Sequence, residues 1–376
     1  MPSQYNGWIP SAWTAGHHVL FIAGLGDSDN LWRIALSPRS FEIKGPAERL
    51  TTGSEQVGHP SIAGGRVAFA SLQETSGIWS LPVAANEGKT TGAPQRLTSG
   101  ASRDIRPSVS ANGETVVFLS NRSGNSDLWR KDLKTGAETA LTATPENEGY
   151  PIVSPNGLKV VFTKSGAGPQ RPPLLTLGIR GGVPEKVCDD CVKPESWSSD
   201  GHRILFERRY AGDQGETLGL LDLSTGQKVK LLRSSRDLNS ARFSPDGQWI
   251  TFQERASPLT RRLWIARLHG MTEIPQSEWI GVTDGSTLDR VPNWSPDGAL
   301  LYFTSTRDGF HCVWAQRLEP ATKRPAGDPF AVQHFHQARL GIRVQDTGML
   351  GLSVARDKIV LALGETTGNV WLMEGR

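Results

Sequence analysis

Several groups of residues have types and spacing that could carry chemistry. Cys188-Asp189-Asp190-Cys191 is a Cys-x-x-Cys. Zinc would need a second pair of ligands, and the remaining cysteine, Cys312, stands far away in the chain. A redox role would want the first thiol at a helix N-terminus, which lowers its pKa. Here the surroundings read as a loop, and two adjacent acids would raise a thiol pKa. The motif reads as a local disulfide or an inert turn. His334-Phe335-His336 puts two imidazoles on one face of a strand, because side chains alternate with period two. Gln333 and His311 are the other donors near it, so a surface pair is the plainer reading and metal binding the sharper one. No Gly-x-Ser-x-Gly occurs, and no region alternates strands with long helices, so a serine-hydrolase site is not expected.

Arginine forms the most pointed pattern. Arg122, Arg208, Arg209, Arg255, Arg261, Arg262 and Arg307 recur after one kind of apolar run, while Arg106 and Arg290 stand before another. Asp104, Glu148, Asp237, Asp289 and Asp308 accompany them, and Tyr150 and Tyr210 add aromatic surface.

The elements that must position these residues come from a repeat. Phe243-Ser244-Pro245-Asp246-Gly247 recurs as Trp294-Ser295-Pro296-Asp297-Gly298, with weaker copies ending at Gly113, Gly157 and Gly201. The glycines lie about 44 to 51 residues apart, the period of an array of four-stranded sheets. Ser, Pro, Asp and Gly in that order suit a type I turn followed by a left-handed glycine. Asp200, Asp246 and Asp297 are therefore expected to bond their own backbone rather than a metal. Apolar runs follow each turn, as in Val160-Val161-Phe162 and Ile204-Leu205-Phe206, and read as central strands. A third strand carries an aliphatic residue and then Trp: Leu31-Trp32, Ile78-Trp79, Leu128-Trp129, Leu263-Trp264, Val313-Trp314 and Val370-Trp371. Leu174-Leu175 and Leu218-Gly219 fill the same slot elsewhere.

Counting third strands predicts eight units, starting near residues 10, 59, 106, 150, 194, 240, 291 and 349. The expected fold is all-β, a single propeller of four-stranded antiparallel blades spanning 1–376. Eight blades are expected, with a seven-bladed ring plus one distorted unit as the alternative. The last unit lacks a fourth strand, which the N-terminal side near Ser3 to Trp8, or residues upstream of Met1, would supply. The abrupt start suggests a piece of a longer protein. The loop at residues 166–173 is read as a tolerated insertion.

The Ser-Pro-Asp-Gly and aliphatic-Trp unit resembles the PD40, or TolB-like, relative of the WD40 repeat, over essentially the whole chain. The resemblance implies a binding platform: TolB takes part in envelope protein–protein contacts, and similar propellers are sensory halves of bacterial kinases and winged-helix regulators. Val187-Cys188-Asp189-Asp190-Cys191 and Ser353-Val354-Ala355-Arg356-Asp357 look most similar to the last, multidomain group. No kinase motif set and no winged helix is present here.

A propeller gathers the second-to-third-strand connections and the starts of the first strands on one face. Arg106, Arg122, Tyr150, Arg208, Arg255, Arg290 and Arg307 would then ring the axial mouth and receive an anionic small molecule or an acidic peptide segment. The competing reading makes each arginine a tie within the repeat. The alternative from another class is a metal-dependent propeller hydrolase or lyase in the axial pocket, with His334 and His336 as its ligands. Composition narrows the rest. With 41 basic and 38 acidic side chains and net charge +3, no broad field attracts nucleic acid or an anionic membrane. No apolar run of about 18 residues spans a bilayer, and the start lacks the marks of a secretory signal. The expectation is a non-catalytic sensor or interaction module without a cofactor, cytoplasmic, or periplasmic if a membrane segment precedes it.

Overall fold

The computed structural model describes residues 6–14, 16–25, 28–52, 56–100, 102–165, 172–208, 217–337, 339–342 and 351–374. Arg209, Tyr210 and residues 166–171 of the loop named above lie outside them. Apart from one 3-10 turn at Gln276–Glu278, the described residues form strands and their connections. The repeated turn forms as its chemistry requires. The Gly247 amide donates to the Ser244 carbonyl at 2.9 Å, and Gly247 itself sits at φ 68°. Asp246 Oδ1 accepts from the Gln248 amide at 3.0 Å, and Ser244 Oγ accepts from the Trp249 amide at 2.9 Å. Asp200 and Asp297 are engaged in the same way. These aspartates close turns.

The chain separates into two compact units: Met1–Thr75 with Glu365–Arg376, and Ser76–Gly364. In the smaller, Asn6–Trp13, His18–Leu25, Ser28–Leu36 and Ile43–Arg49 form one antiparallel sheet. Leu20, Leu31, Val57 and Val67 make its core, with Met373 packed against them.

The larger unit holds five consecutive four-stranded sheets. Blade 1 is Asp104–Val109, Thr115–Ser120, Asp127–Asp132 and Glu138–Ala140. Blade 2 is Asn147–Val153, Lys159–Ser165, Leu174–Gly178 and Glu185–Cys188. Blade 3 is Lys193–Trp197, Arg203–Arg208, Thr217–Asp222 and Lys228–Leu232. Blade 4 is Leu238–Phe243, Trp249–Arg255, Arg261–Arg267 and Ile280–Gly281. Blade 5 is Arg290–Trp294, Leu300–Ser305, Cys312–Arg317 and Phe330–Gln333. A sixth sheet draws strands from both ends of the unit. Leu352–Val354 and residues 358–364 form its inner half, residues 76–84 and Gln95–Arg96 its outer half.

First strands of successive blades adjoin one another, and Leu352–Val354 adjoins those of both blade 5 and blade 1, so the ring closes. Serines tie neighbours together at the centre. Ser108 Oγ accepts from the Val153 amide at 2.9 Å, Ser196 Oγ from Phe243 at 3.2 Å, and Ser353 Oγ from Val109 at 3.1 Å. Second strands carry the core: Phe118, Phe162, Phe206, Phe252 and Phe303 are fully buried. Each such side chain contributes about 1.5–3 kcal/mol relative to exposure.

Eight separate sheets do not form. The units predicted near residues 106, 150, 194, 240 and 291 become blades 1 to 5, and the one near residue 10 becomes the sheet of the smaller unit. Those near 59 and 349 do not turn back on themselves. Their predicted second and third strands run together as Arg66–Ala84 and Lys358–Glu374, each contributing residues to both units. Turn chemistry explains this. In blades 1 and 5 the equivalent connections reverse through Gly124 at φ 108° and Gly309 at φ 86°. Gly77 and Gly368 do not adopt positive φ, so neither strand bends back there. Val370 and Trp371, predicted as a third strand wedged between sheets, are 80% and 53% exposed. Of the segment near Ser3 to Trp8 predicted to complete the last unit, Ser3 to Tyr5 lie outside the described residues, and Asn6 to Trp8 belong to Asn6–Trp13, which pairs with His18–Leu25 instead.

Candidate functional site

The face predicted to gather the arginines holds a cavity of about 550 Å³ at the ring axis. Residues at the start of first strands line it, because each of those strands carries a bulge. Register breaks fall within residues 149–152, 194–196, 239–242 and 290–293, and opposite 117–119 in blade 1. At the bulges Arg106, Tyr150, Ser240 and Val291 adopt φ of 53°, 57°, 55° and 47°. A left-handed conformation is costly for such residues, above all for β-branched valine. Bulges of this kind re-aim side chains, and all four residues line the cavity.

Charge in the mouth is unbalanced. Its lining includes Arg106, Lys193, Arg242, Arg255 and Arg261 against Glu195, Glu207 and Asp237. Each carboxylate is already matched: Lys193 to Glu207 at 2.7 Å, Arg242 to Glu195 at 3.3 Å, Arg255 to Asp237 at 3.2 Å. Arg106 stacks on the Tyr150 ring at 3.9 Å. Arg261 Nη1 donates to the Ser257 and Thr260 carbonyls at 3.1 and 3.0 Å. Arg290 lies behind them, only 5% exposed, and its Nε and Nη1 have no hydrogen-bond partner among the described residues. Burial, then Arg261 and Arg255, push its guanidinium down to about 10, so it stays charged at neutral pH. Among the described residues Arg106, Arg261 and Arg290 therefore make no direct ion pair with a carboxylate, although Asp237 acts on Arg261 and Glu195 on Arg106 from further off.

A second cavity, of about 690 Å³, opens on the face of the Ser-Pro-Asp-Gly turns. Pro107, Ile152, Glu195, Arg242 and Leu352 line both cavities. The Glu195–Arg242 pair thus lies between the two mouths of one axial passage. Burial raises the Glu195 pKa, and Arg242 opposes that rise.

The predicted arginines divide. Arg106, Tyr150 and Arg255 line the mouth, with Arg290 behind it. Arg122 turns into its own blade, bonding Asp104 Oδ2 at 2.9 Å, Glu138, and Ser120 Oγ at 2.9 Å, and lying 4.5 Å over Trp129. Arg307 repeats this with Asp289 at 3.2 Å, Ser305 Oγ at 3.0 Å and Trp314 at 5.0 Å. Arg208 pairs with Asp190 beside the disulfide that joins Cys188 to Cys191. Arg262 stacks on Trp264 at 4.1 Å. None of these four lines the mouth. Sequence reasoning missed Lys193, Glu195 and Arg242, whose signal would have been their place within two residues of the predicted unit starts near 194 and 240. His334 and His336 line neither axial cavity; both ring nitrogens meet Asp308 Oδ2, at 2.8 and 2.9 Å.

A closed ring of four-stranded antiparallel sheets around an axial passage defines a β-propeller. Its fold is that of the TolB-like propellers. Among solved structures it is similar to an Agrobacterium tumefaciens protein assigned as TolB, at 16% identity and TM-score 0.60, covering 78% of this chain and 99% of that one. It is also similar to TolB of Acinetobacter baumannii, at 15% identity and TM-score 0.53, covering 93% and 80%. An oligogalacturonate lyase from Vibrio parahaemolyticus matches at 14% identity and TM-score 0.47, covering 86% and 93%. No protein-family model and no curated protein matches the chain. Among the described residues no helix is long and apolar enough to cross a membrane.

Proposed function

We propose that the propeller is a non-catalytic recognition module that receives an anionic group in the arginine-lined mouth. The observation that carries this reading is the surplus of guanidinium groups, with Arg290 buried and two of its nitrogens unpartnered. A buried donor without an acceptor costs about 1–3 kcal/mol, more when charged. A carboxylate or phosphate seated between Arg255, Arg261 and Arg290 removes that cost through charge-assisted hydrogen bonds. The left-handed residues around the rim hold the lining in place before the ligand arrives, so little ordering remains to be done on binding. Tyr150 offers an aromatic wall beside the anion. Both a small polyanion and an acidic peptide segment have this chemistry.

Calorimetric titration at low salt with citrate and with a glutamate-rich peptide tests the reading. Binding of one or both is expected, weakening as salt rises. Replacing Arg106 and Arg255 together by Gln should lower affinity at least about tenfold and leave the unfolding midpoint within a few degrees. Absence of heat with either titrant at low salt rejects the reading.

A further inference from the structure

We propose that Asp308, Cys312, His334 and His336 form a zinc site on the outer part of blade 5, apart from the axial passage. Four donor atoms, two imidazole nitrogens, a carboxylate oxygen and a thiol sulfur, lie within 4.8 Å of one another. Three separate pieces of blade 5 bring them together. Asp308 sits in the connection between second and third strands, Cys312 opens the third strand, and the histidines follow the fourth. The sequence shows the histidine pair but no third ligand; pairing of the third strand with the fourth supplies two.

Their geometry suits a small four-coordinate ion. Bonds of about 2.0–2.3 Å in a tetrahedron place nitrogen and oxygen donors about 3.3 Å apart. His334 Nδ1 and His336 Nε2 stand 2.8 and 2.9 Å from one Asp308 oxygen. Both rings are half-exposed and can retreat by that half-ångström, with Phe310 tilted over His336 at 4.4 Å and Trp314 edge-on to His334 at 6.0 Å. The Cys312 sulfur is buried and accepts the Phe335 amide at 3.3 Å, a bond that a metal-bound thiolate keeps. On binding, the thiol gives its proton to water and the sulfur lone pair goes to the ion. Mixed sulfur, nitrogen and oxygen donors favour zinc over magnesium or calcium. With four protein ligands no coordination position remains for substrate, so the ion would pin the 308 turn to the fourth strand. The other candidates nearby do not join: His311 is not among the clustered donors, and Gln333 Nε2 donates to the His334 carbonyl at 2.8 Å.

The test uses tag-free, chelator-treated protein. Zinc should bind with one equivalent per chain by calorimetry. Cobalt should give the visible bands of a four-coordinate ion together with a thiolate charge-transfer band. Cys312→Ser should remove the charge-transfer band and weaken binding by at least the roughly 10–100-fold that losing even an outer-shell partner costs. Replacing His334 and His336 together by Ala, at half-exposed positions that leave the fold intact by circular dichroism, should abolish binding. No zinc heat and no cobalt spectrum overturns the proposal, as does binding that survives loss of both histidines.

Discussion

Blades 1 and 2 begin with a carboxylate in nearly the same place, and the two fare differently. Asp104 in blade 1 is 1% exposed and bonded to Arg122. Glu148 in blade 2 is 4% exposed with no cation paired to it among the described residues; Thr142 and Thr144 donate to it at 3.1 and 2.9 Å, and Asp127 lies close by. Burial, reinforced by Asp127, pushes Glu148 up to about 7. Blade 5 follows blade 1, with Asp289 and Arg307. Blade 4 has the pair too, with Asp237 and Arg255, so one repeat position holds an ion pair in three blades and a carboxyl at the edge of protonation in a fourth. The arginine of this slot is claimed by an aspartate in all three of those blades, but in blades 1 and 5 the pair turns into the blade, whereas Arg255 keeps Asp237 at 3.2 Å while lining the axial mouth.

Breaking the ion pair should have the largest effect. Arg122→Ala leaves Asp104 buried and unmatched, and should cost about 2–3 kcal/mol in denaturant unfolding, without changing affinity at the mouth. A variant as stable as the parent would place Arg122 with the ligand-facing group after all. A smaller loss, about 1–3 kcal/mol, is expected for Gly219→Ala. In blade 3 that glycine takes the place of the third-strand tryptophan, and an added Cβ would clash with the Phe206 ring. Adding Phe206→Leu to the same chain should recover part of the loss, because the clash lies with the ring. The smallest effect concerns Glu148. Its folded pKa lies above the ordinary 4.5, so the folded state holds the proton longer and stability falls as pH rises from about 4.5 through about 7. Glu148→Gln should match the parent near pH 4.5 and melt a few degrees higher above pH 7. Melting curves that stay parallel across this range would show that Glu148 ionises as an ordinary carboxyl, and the contrast with Asp104 would disappear.

Much of the fold was legible in the chain because its signals are local. Turn glycines, second-strand apolar runs and third-strand tryptophans marked five blades in register, and the turn aspartates were read as turn aspartates. Legibility failed where those same signals were weak. Residues 73–77 and 364–369 look like connections by position, yet no left-handed glycine reverses the chain there. The arginines were legible as a set but not as individuals. Their partners lie in other strands, and nothing beside Arg122 or Arg255 in the sequence says which of them turns into its blade and which faces the axis.

The sequence by itself determined the repeated four-stranded sheet, the face on which its connections gather and the cationic character of that face, since turn chemistry and strand period act over a few residues. Only the tertiary structure decided how the ring closes, which guanidinium groups remain unmatched, and where the histidine pair finds its further donors. Those outcomes depend on contacts between distant segments, such as Glu195 with Arg242, 47 residues apart, and Asp308 with His336, 28 apart. Packing brings such groups together, and no short-range pattern encodes the match.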